Sequence, residues 1–396
     1  MRPPTTLRDP YRRRLQTRVL ACRTHGDSTI AITPDTIVFP GGGGQPADGA
    51  TLAGVPVLSV LSDGDRGWVH ELAGPVPLGE AVIELDWERR YDHMQQHSAQ
   101  HLITALAADQ LGLPTMAFHL GAERCSIDLD APEFEPGVLS ELSALVQAEI
   151  RAALPVRSRW VQPDEIEALS VRSRGLPDEH HGVVRVVSIE GVDRNTCGGT
   201  HVANTAELQL VVFLGTERVH GGHTRLHFVA GLRALGMFGA GLERQDGLTR
   251  ALACAPAEHV AAVERTLAEL RELSRSLRRS QAELAELLAV MALAGAVEGL
   301  AHLHRDDDDL PLLQAVARGA QTRRSGTVVL LTSGSPTGSF LLVGPTPIVA
   351  RLGPELLPLL DGRGGGARGR YQGRAERMDL RDQAVVRLRE LLEDQP

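Results

Sequence analysis

The stretch YDHMQQHSAQHLITALAADQL, residues 91–111, decides the fold of the central part of the chain. It contains no glycine or proline, and Met94, Leu102 and Leu106 are among its apolar positions. Helix-breaking residues follow directly at positions 112–114, which are Gly-Leu-Pro. The pattern therefore predicts one helix from Tyr91 to Leu111.

Three histidines on this predicted helix, His93, His97 and His101, are spaced four residues apart. Side chains four residues apart lie on one helix face with Cβ atoms about 5–6 Å apart, so two neighbouring imidazoles can bind one metal ion. His93 and His101 are separated by about 12 Å along the axis and cannot share an ion. The spacing permits either neighbouring pair and does not choose between them.

A second candidate ligand pair is Cys197-Gly-Gly-Thr-His201. The two glycines allow a tight turn, which lets the thiolate and the imidazole point in the same direction. Cysteine and histidine ligands together suit zinc, with bonds of about 2.0–2.3 Å. The sequence therefore predicts that one helix-borne pair and one glycine-hinged pair hold a single zinc ion.

These two motifs resemble the paired zinc motifs of the alanyl-tRNA synthetase editing domain and of its free-standing AlaX relatives. The resemblance extends along the chain in the order of the family. Its further segments are PGGGGQP at 40–46 with Asp48, FHLG at 118–121, SIDL at 126–129, residues 185–193, and GGG at 364–366 with YQG at 371–373. The last segment is similar to the glycine-rich loop of the DHH-associated domain. Ala206 departs from the pattern, since the family usually has glycine there.

The resemblance also implies a role for individual residues. It selects His97, His101, Cys197 and His201 as the zinc ligands and leaves His93 outside the set. It implies catalytic roles for Gln45 and His119. The implied substrate-binding residues are Gly42, Gly43, Gly44, Phe118, Arg185, Asp193 and Thr200.

The whole chain of 396 residues predicts an α+β protein with several domains. Short apolar runs separated by Gly, Pro and Asp predict a small β-barrel over residues 1–90. An α+β zinc-binding editing domain over 91–240 follows. Residues 241–299 are predicted to form a long helical linker with a coiled-coil-like seam at 257–294. The pattern at 300–396 predicts a compact α/β domain, which the resemblance implies is the DHH-associated domain. Within the last domain, residues 362–373 are predicted to be a Gly/Arg-rich loop.

Composition excludes several classes of protein. The formal net charge is −9, so an RNA partner would need local arginine patches rather than a basic surface. All 41 basic residues are arginine, which excludes any lysine-based mechanism. Four scattered cysteines are too few for a disulfide framework and favour a cytoplasmic location. We also expect no signal peptide and no membrane span, because no apolar run approaches about 18 residues.

The function implied by the resemblance is hydrolysis of mischarged tRNA(Ala), carrying serine or glycine, at the acceptor end. Four protein ligands describe a closed structural zinc site, whereas catalytic sites keep a position open. We therefore expect zinc to order the site and to admit water or substrate when one position opens. We expect that the chain can form a homodimer through the helix at 257–294 or through the C-terminal domain. We also expect the arginines within 362–374 to contact tRNA phosphates.

Three alternatives belong to other classes. The first is a non-catalytic RNA-binding or oligomerisation module with a structural zinc ion. The second, a zinc peptidase, is disfavoured because Ser98 stands where H-E-x-x-H enzymes carry their catalytic glutamate. The third is a complete alanyl-tRNA synthetase, for which the chain before residue 90 is too short to hold an aminoacylation domain.

Overall fold

The computed structural model describes residues 3–25, 28–169, 171–172, 182–307 and 309–393. The chain divides into two compact units, residues 1–247 and 248–396. Both units mix helices with mainly antiparallel sheets, which confirms the α+β class. Within the described residues, no helix combines the length and apolar character that crossing a bilayer requires.

The first unit begins with a seven-stranded antiparallel sheet. Its strands are β1 Arg14–Val19, β2 Ala21–His25, β3 Ser28–Thr33, β4 Ala50–Leu52, β5 Val55–Ser62, β6 Trp68–Leu72 and β7 Gly79–Leu85. Their order is β1-β7-β4-β5-β6-β3-β2. The predicted closed barrel is not confirmed, since no described pairing joins β1 to β2. Only Leu20 separates these two strands, so the chain bends there and pairs with β7 on one side and β3 on the other.

The rest of the first unit carries two further antiparallel sheets and most of the helices. The helices are α1 Thr5–Arg8, α2 Trp87–Leu111, α3 Val138–Arg151, α4 Glu165–Ala168 and α5 Gly231–Leu252, which continues into the second unit. The strands are β8 Thr115–Leu120, β9 Cys125–Leu129, β10 Val156–Val161, β11 Val184–Ile189, β12 Asp193–Thr196, β13 Val211–Val219 and β14 His223–Ala230. They form sheets of order β10-β11-β12 and β13-β14-β9-β8.

Helix α2 is the predicted central helix, and it begins four residues earlier than expected. Asp86 caps its N-terminus by accepting a hydrogen bond from the Arg89 amide, and Gly112 ends it in the left-handed conformation with φ 67°. Met94 and Leu102 are fully buried in one core with α3 and the β13-β14-β9-β8 sheet. Polar side chains of α2 are buried as well, and this places its histidines inside the unit rather than on its surface.

The second unit contains helices packed around a five-stranded sheet. The helices are α6 His259–Ala294, α7 Leu310–Arg323, α8 Thr346–Leu352, α9 Leu356–Leu359 and α10 Arg381–Glu393. The strands are β15 Leu300–Arg305, β16 Val328–Ser333, β17 Gly338–Val343, β18 Gly362–Ala367 and β19 Arg370–Ala375, in the order β15-β16-β17-β19-β18. Only β15 and β16 pair in parallel among these described strands. The predicted long helix is confirmed as α6.

The loop predicted at 362–373 is wrong, because this segment forms the β18–β19 hairpin. Arg368 and Gly369 both have positive φ, which is typical of the two-residue turn that joins hairpin strands. Glycine is required in the strands because they approach closely. A Cβ at Gly364 or Gly366 would overlap the carbonyl of the partner strand. Composition suggested a loop, whereas the glycines allow strand pairing here.

Candidate metal centre

The two predicted ligand pairs meet in the first unit. His97 and His101 lie one turn apart on α2, and Cys197 and His201 lie on the loop that follows β12. One ligand atom from each of the four side chains lies within 4.8 Å of every other. The Cys197 Sγ is 3.5 Å from Nε2 of His97 and 3.3 Å from Nε2 of His201. This arrangement confirms that pairs about a hundred residues apart form one cluster able to hold a metal ion.

Each imidazole of the cluster has a hydrogen-bond partner on its other nitrogen. His97 Nδ1 donates to the Gln45 Oε1 at 2.8 Å, and His101 Nδ1 donates to the Asp193 carboxylate at 3.1 Å. The Ser98 hydroxyl pairs with His201 Nδ1 at 3.0 Å. Metal-binding histidines usually donate their second N–H to such an acceptor, which fixes the ring and leaves the other nitrogen bare for the ion. The donor set therefore fits a metal ion bound through Nε2.

Backbone hydrogen bonds shape the loop that carries the second pair. The Gly199 amide donates to the Cys197 Sγ at 3.3 Å, and the Thr200 amide donates to the Gln45 Oε1 at 2.9 Å. The buried Arg185 guanidinium donates to the carbonyls of Cys197, at 3.0 Å, and Gly199, at 2.7 Å. The loop is thus held from inside, which directs the thiolate and the imidazole toward α2.

Electrostatics of the cluster favour a bound cation. Burial opposes ionisation of Cys197, but the neighbouring imidazoles of His97 and His201 outweigh it and hold the pKa of this thiol well below its usual range. Burial likewise opposes a charge on His101, yet its hydrogen bonds to Asp193 and Cys197 prevail and raise its pKa to about 9. A thiolate and a nearby carboxylate therefore attract positive charge to this position.

The cluster forms part of the wall of a cavity of about 810 Å³. Helix α2 contributes one face of this wall, which includes His97, His101 and Thr104 at helical spacing. The glycine-rich segment at 41–44 and the Phe118 ring line other parts of it. A cavity of this size is typical of small-ligand sites. A bound metal ion would therefore face a space that can hold a substrate group.

The predicted site residues divide into two groups by position. Gly42, Gly43, Gly44 and Phe118 line the cavity. Gln45, Arg185, Asp193 and Thr200 are buried behind the ligands and contact them or their loop. His119 is exposed on β8 and is absent from the residues that line the cavity. Direct catalytic or substrate-binding roles for the buried group and for His119 stay predictions.

His93, the alternative that spacing left open, does not belong to the cluster formed by the described residues. It is buried one turn before His97, and burial lowers its pKa. The choice between the two neighbouring pairs therefore falls on His97 and His101. Tertiary contacts decided it, because Cys197 and His201 approach only that part of the helix face.

Sequence reasoning missed three residues of this site. Ser98 supports His201, and Arg172 donates to the Asp193 carboxylate at 3.0 Å. Gln100 lines the cavity and is only 4% exposed. Its Oε1 has no hydrogen-bond partner among the described residues. The positions of Ser98 and Gln100 inside the H-x-x-x-H motif were a usable indication, since neighbours of ligands on a buried helix are also buried. Arg172 had no such indication.

We expect Gly199→Ala to weaken metal binding by about 10–100-fold, which is the usual effect of disturbing groups that orient metal ligands. A Cβ at Gly199 would overlap the His97 ring and lie 2.7 Å from the Gln45 Oε1. Gly198→Ala is the matched control, because a Cβ there meets nothing within 4 Å. Metal content after dialysis against a graded chelator measures the effect. Equal affinities for the two variants would contradict this account of the loop.

The fold and the site together define an α+β protein with a largely buried His/Cys cluster that can hold a metal ion. The family described as "Threonyl and Alanyl tRNA synthetase second additional domain" matches residues 184–227, which include β11, β12 and the Cys197–His201 loop. Relatives match over far more of the chain. The alanyl-tRNA editing protein Aarsd1 of Danio rerio is 41% identical over 360 residues, which cover 90% of this chain and 87% of that protein.

Two archaeal proteins extend the comparison. The alanyl-tRNA editing protein AlaX-L of Pyrococcus horikoshii is 27% identical and covers 98% of each chain. The alanine–tRNA ligase of Pyrobaculum arsenaticum is 31% identical over 92% of this chain, but over only 42% of its own length. The chain therefore belongs to the family of alanyl-tRNA editing proteins that includes Aarsd1 and AlaX-L.

Proposed function

We propose that the chain is an aminoacyl-tRNA hydrolase of the cytoplasm that deacylates tRNA(Ala) mischarged with serine or glycine. One zinc ion would be held by His97, His101, Cys197 and His201. The observation that carries the proposal is the position of this ligand cluster in the wall of a substrate-sized cavity. Membership of the alanyl-tRNA editing family supports tRNA as the partner.

Zinc is the metal that the donor set favours. Three imidazole nitrogens and one thiolate are a donor set of the kind that zinc takes in proteins. When bound, zinc supplies Lewis acidity, which polarises an ester carbonyl or lowers the pKa of water. Because these four protein ligands would close the site, bound zinc would order the cavity, and one ligand position would have to open to admit water or substrate.

The residues of the chain hold this site ready for substrate. Gln45, Ser98 and Asp193 keep the three imidazole rings in place. The glycines at 42–44 have positive φ and let the backbone approach a ligand closely. The free Gln100 Oε1 is an acceptor only, so it suits a donor such as the ammonium group of an esterified amino acid.

Serine and glycine are the expected amino acids because of a limit in synthetase chemistry. A pocket built for alanine cannot strongly reject a side chain that adds one hydroxyl or lacks one methyl group. A second, hydrolytic site corrects these errors. In this cavity the Phe118 ring lies against Gly44, where a Cβ would overlap the ring Cε2. We propose that this contact limits the space for the side chain.

The test compares hydrolysis of differently charged tRNA(Ala) by the zinc-loaded protein. We expect Ser-tRNA(Ala) to be deacylated at least about 100-fold faster than Ala-tRNA(Ala), since a site that hydrogen-bonds the serine hydroxyl has no such contact with alanine. Gly-tRNA(Ala), which also lacks the hydroxyl, should be deacylated more slowly than Ser-tRNA(Ala). Release of radiolabelled amino acid measures the rates. Zinc-loaded protein that binds tRNA(Ala) without hydrolysing Ser-tRNA(Ala) would instead support the non-catalytic module with a structural zinc ion.

We also propose the domain division of the sequence analysis, including the DHH-associated domain at 300–396.

We propose a homodimer that forms through α6. Apolar side chains on this helix are exposed in the single chain, such as Leu270 at 54% and Leu277 at 59%, and a partner helix would bury them. Light scattering of the purified chain measures its mass. A monomer at all accessible concentrations would contradict the dimer.

A further inference from the structure

A second cavity of about 570 Å³ adjoins the metal cavity. Its wall includes Arg172 and Asp193, and Arg172 also lines the metal cavity. The second cavity lies against the β10-β11-β12 sheet and opens to solvent. Three arginines line it, namely Arg157, Arg172 and Arg194. Nothing in the chemistry of the metal cluster requires an arginine-rich neighbour, so this cavity calls for its own explanation.

The sheet register places two of these arginines in one row. Arg157 on β10 pairs with Ser188 on β11, and Ser188 pairs with Arg194 on β12. Residues directly opposite each other in paired strands lie on the same face. Since strands are about 4.8 Å apart, the backbones of the two arginines are separated by roughly 10 Å, with a serine between them. The row therefore places two exposed arginines on one face of the sheet. The Arg194 guanidinium donates one hydrogen bond to the Leu169 carbonyl, at 2.9 Å, and keeps further N–H groups for a ligand.

The charge of this surface is positive. Two acids also line the cavity, but Asp193 is buried and occupied by His101 and Arg172. Glu190 is exposed and lies 3.7 Å from Arg157, in a solvent-exposed pair that contributes little and can be exchanged. Arg172 is held by Asp193 and by Asp109, so Arg157 and Arg194 supply the positive charge that is left for an anionic partner in this chain of net charge −9.

Arg172 connects this positive surface with the metal cavity. The β12 strand runs from Asp193 to Thr196 and leads directly into Cys197, so Arg194 lies about 10 Å along the chain from the metal ligand. We propose that the single-stranded 3′ end of the tRNA lies across the second cavity, with backbone phosphates on Arg157 and Arg194. The terminal adenosine and its amino acid then occupy the metal cavity. This inference rests on the proposed function and adds the path of the substrate.

The experiment removes the two exposed arginines together, as Arg157→Ala with Arg194→Ala. We expect KM for Ser-tRNA(Ala) and Kd for uncharged tRNA(Ala) to rise about tenfold, because two phosphate contacts are lost. The slope of log Kd against log salt should fall by about 1.4, at about 0.7 per contact with single-stranded RNA. Hydrolysis of a seryl ester of adenosine, which has no phosphate, should be unchanged.

The matched control is Arg14→Ala with Arg218→Ala. These two arginines are also exposed, each is paired with a glutamate, and neither lines either cavity. Zinc content of both double variants checks their folding. Equal Kd values and salt slopes for the two double variants would overturn the inference. If wild-type protein hydrolyses neither Ser-tRNA(Ala) nor the seryl ester of adenosine, the proposed function fails. The Kd values and salt slopes for uncharged tRNA(Ala) still test whether the tRNA 3′ end lies on these arginines.

Discussion

Replacing His101 with alanine is expected to remove zinc and deacylation together. His101 sits at the centre of the cluster, where Asp193 orients its ring and Cys197 lies on its other side. Loss of one of four ligands should lower zinc affinity by more than the roughly 10–100-fold that follows loss of an outer hydrogen-bond partner. Hydrolysis of Ser-tRNA(Ala) should fall in parallel, because the cavity wall would lose the ion that orders it.

The same result is expected for alanine at His97, Cys197 or His201. His220→Ala is the matched control, since His220 is exposed and lies outside the described ligand cluster. Zinc is quantified by a chromogenic chelator on the same samples that are assayed for deacylation. A variant that loses its zinc and still hydrolyses Ser-tRNA(Ala) at the wild-type rate would exclude a metal role in the reaction.

Replacing Arg90 with methionine is expected to destabilise the first unit by about 3–5 kcal/mol, the typical cost of breaking a buried ion pair. Arg90 is fully buried and pairs with the buried Asp48 carboxylate. It also donates to the carbonyls of Pro10, at 2.9 Å, and Ile37, at 2.6 Å. Without the guanidinium, the Asp48 carboxyl group would be left in the interior with its main partner missing.

Loss of the Arg90–Asp48 ion pair should also disturb the glycine-rich segment that lines the metal cavity. Asp48 accepts a hydrogen bond from the Phe39 amide at 2.6 Å and so ties the glycine-rich segment at 41–44 to α2. Urea denaturation measures the free energy of unfolding. Arg89→Met is the control, because Arg89 is exposed although adjacent in sequence. A destabilisation by Arg90→Met below about 1 kcal/mol, or equal to that of the control, would refute this assignment.

Much of the candidate site was predictable from local patterns. The spacing of His97 and His101 on a helix, and the glycine hinge between Cys197 and His201, each depend on backbone geometry over five residues. The local sequence determines such geometry. The resemblance to a known family then indicated that the histidine pair and the cysteine–histidine pair belong to one site. The ligand cluster and the helix were therefore predicted correctly, apart from the first turn of α2.

Residue roles that depend on burial were harder to predict from the sequence. Gln45 was predicted to act on substrate. It lies at 2% exposure with its amide shared between His97 and Thr200, and the role on substrate stays a prediction. His119 lies next to Phe118 in sequence, yet alternation along β8 directs these neighbours to opposite faces. Only Phe118 lines the cavity. Which side of a strand or loop faces a cavity depends on distant segments, and no local pattern contains that information.

The sequence by itself determined the chemistry, because residue type and short-range spacing specify which side chains can bind a metal ion and which helix can carry them. Tertiary structure alone decided which groups lie behind the His/Cys cluster and which line the cavity. It also turned the glycine-rich tail segment into a hairpin and brought Arg172, Arg157 and Arg194 around a second cavity beside the first. These outcomes depend on strand register and long-range packing, whose energies arise from contacts between residues far apart in the chain.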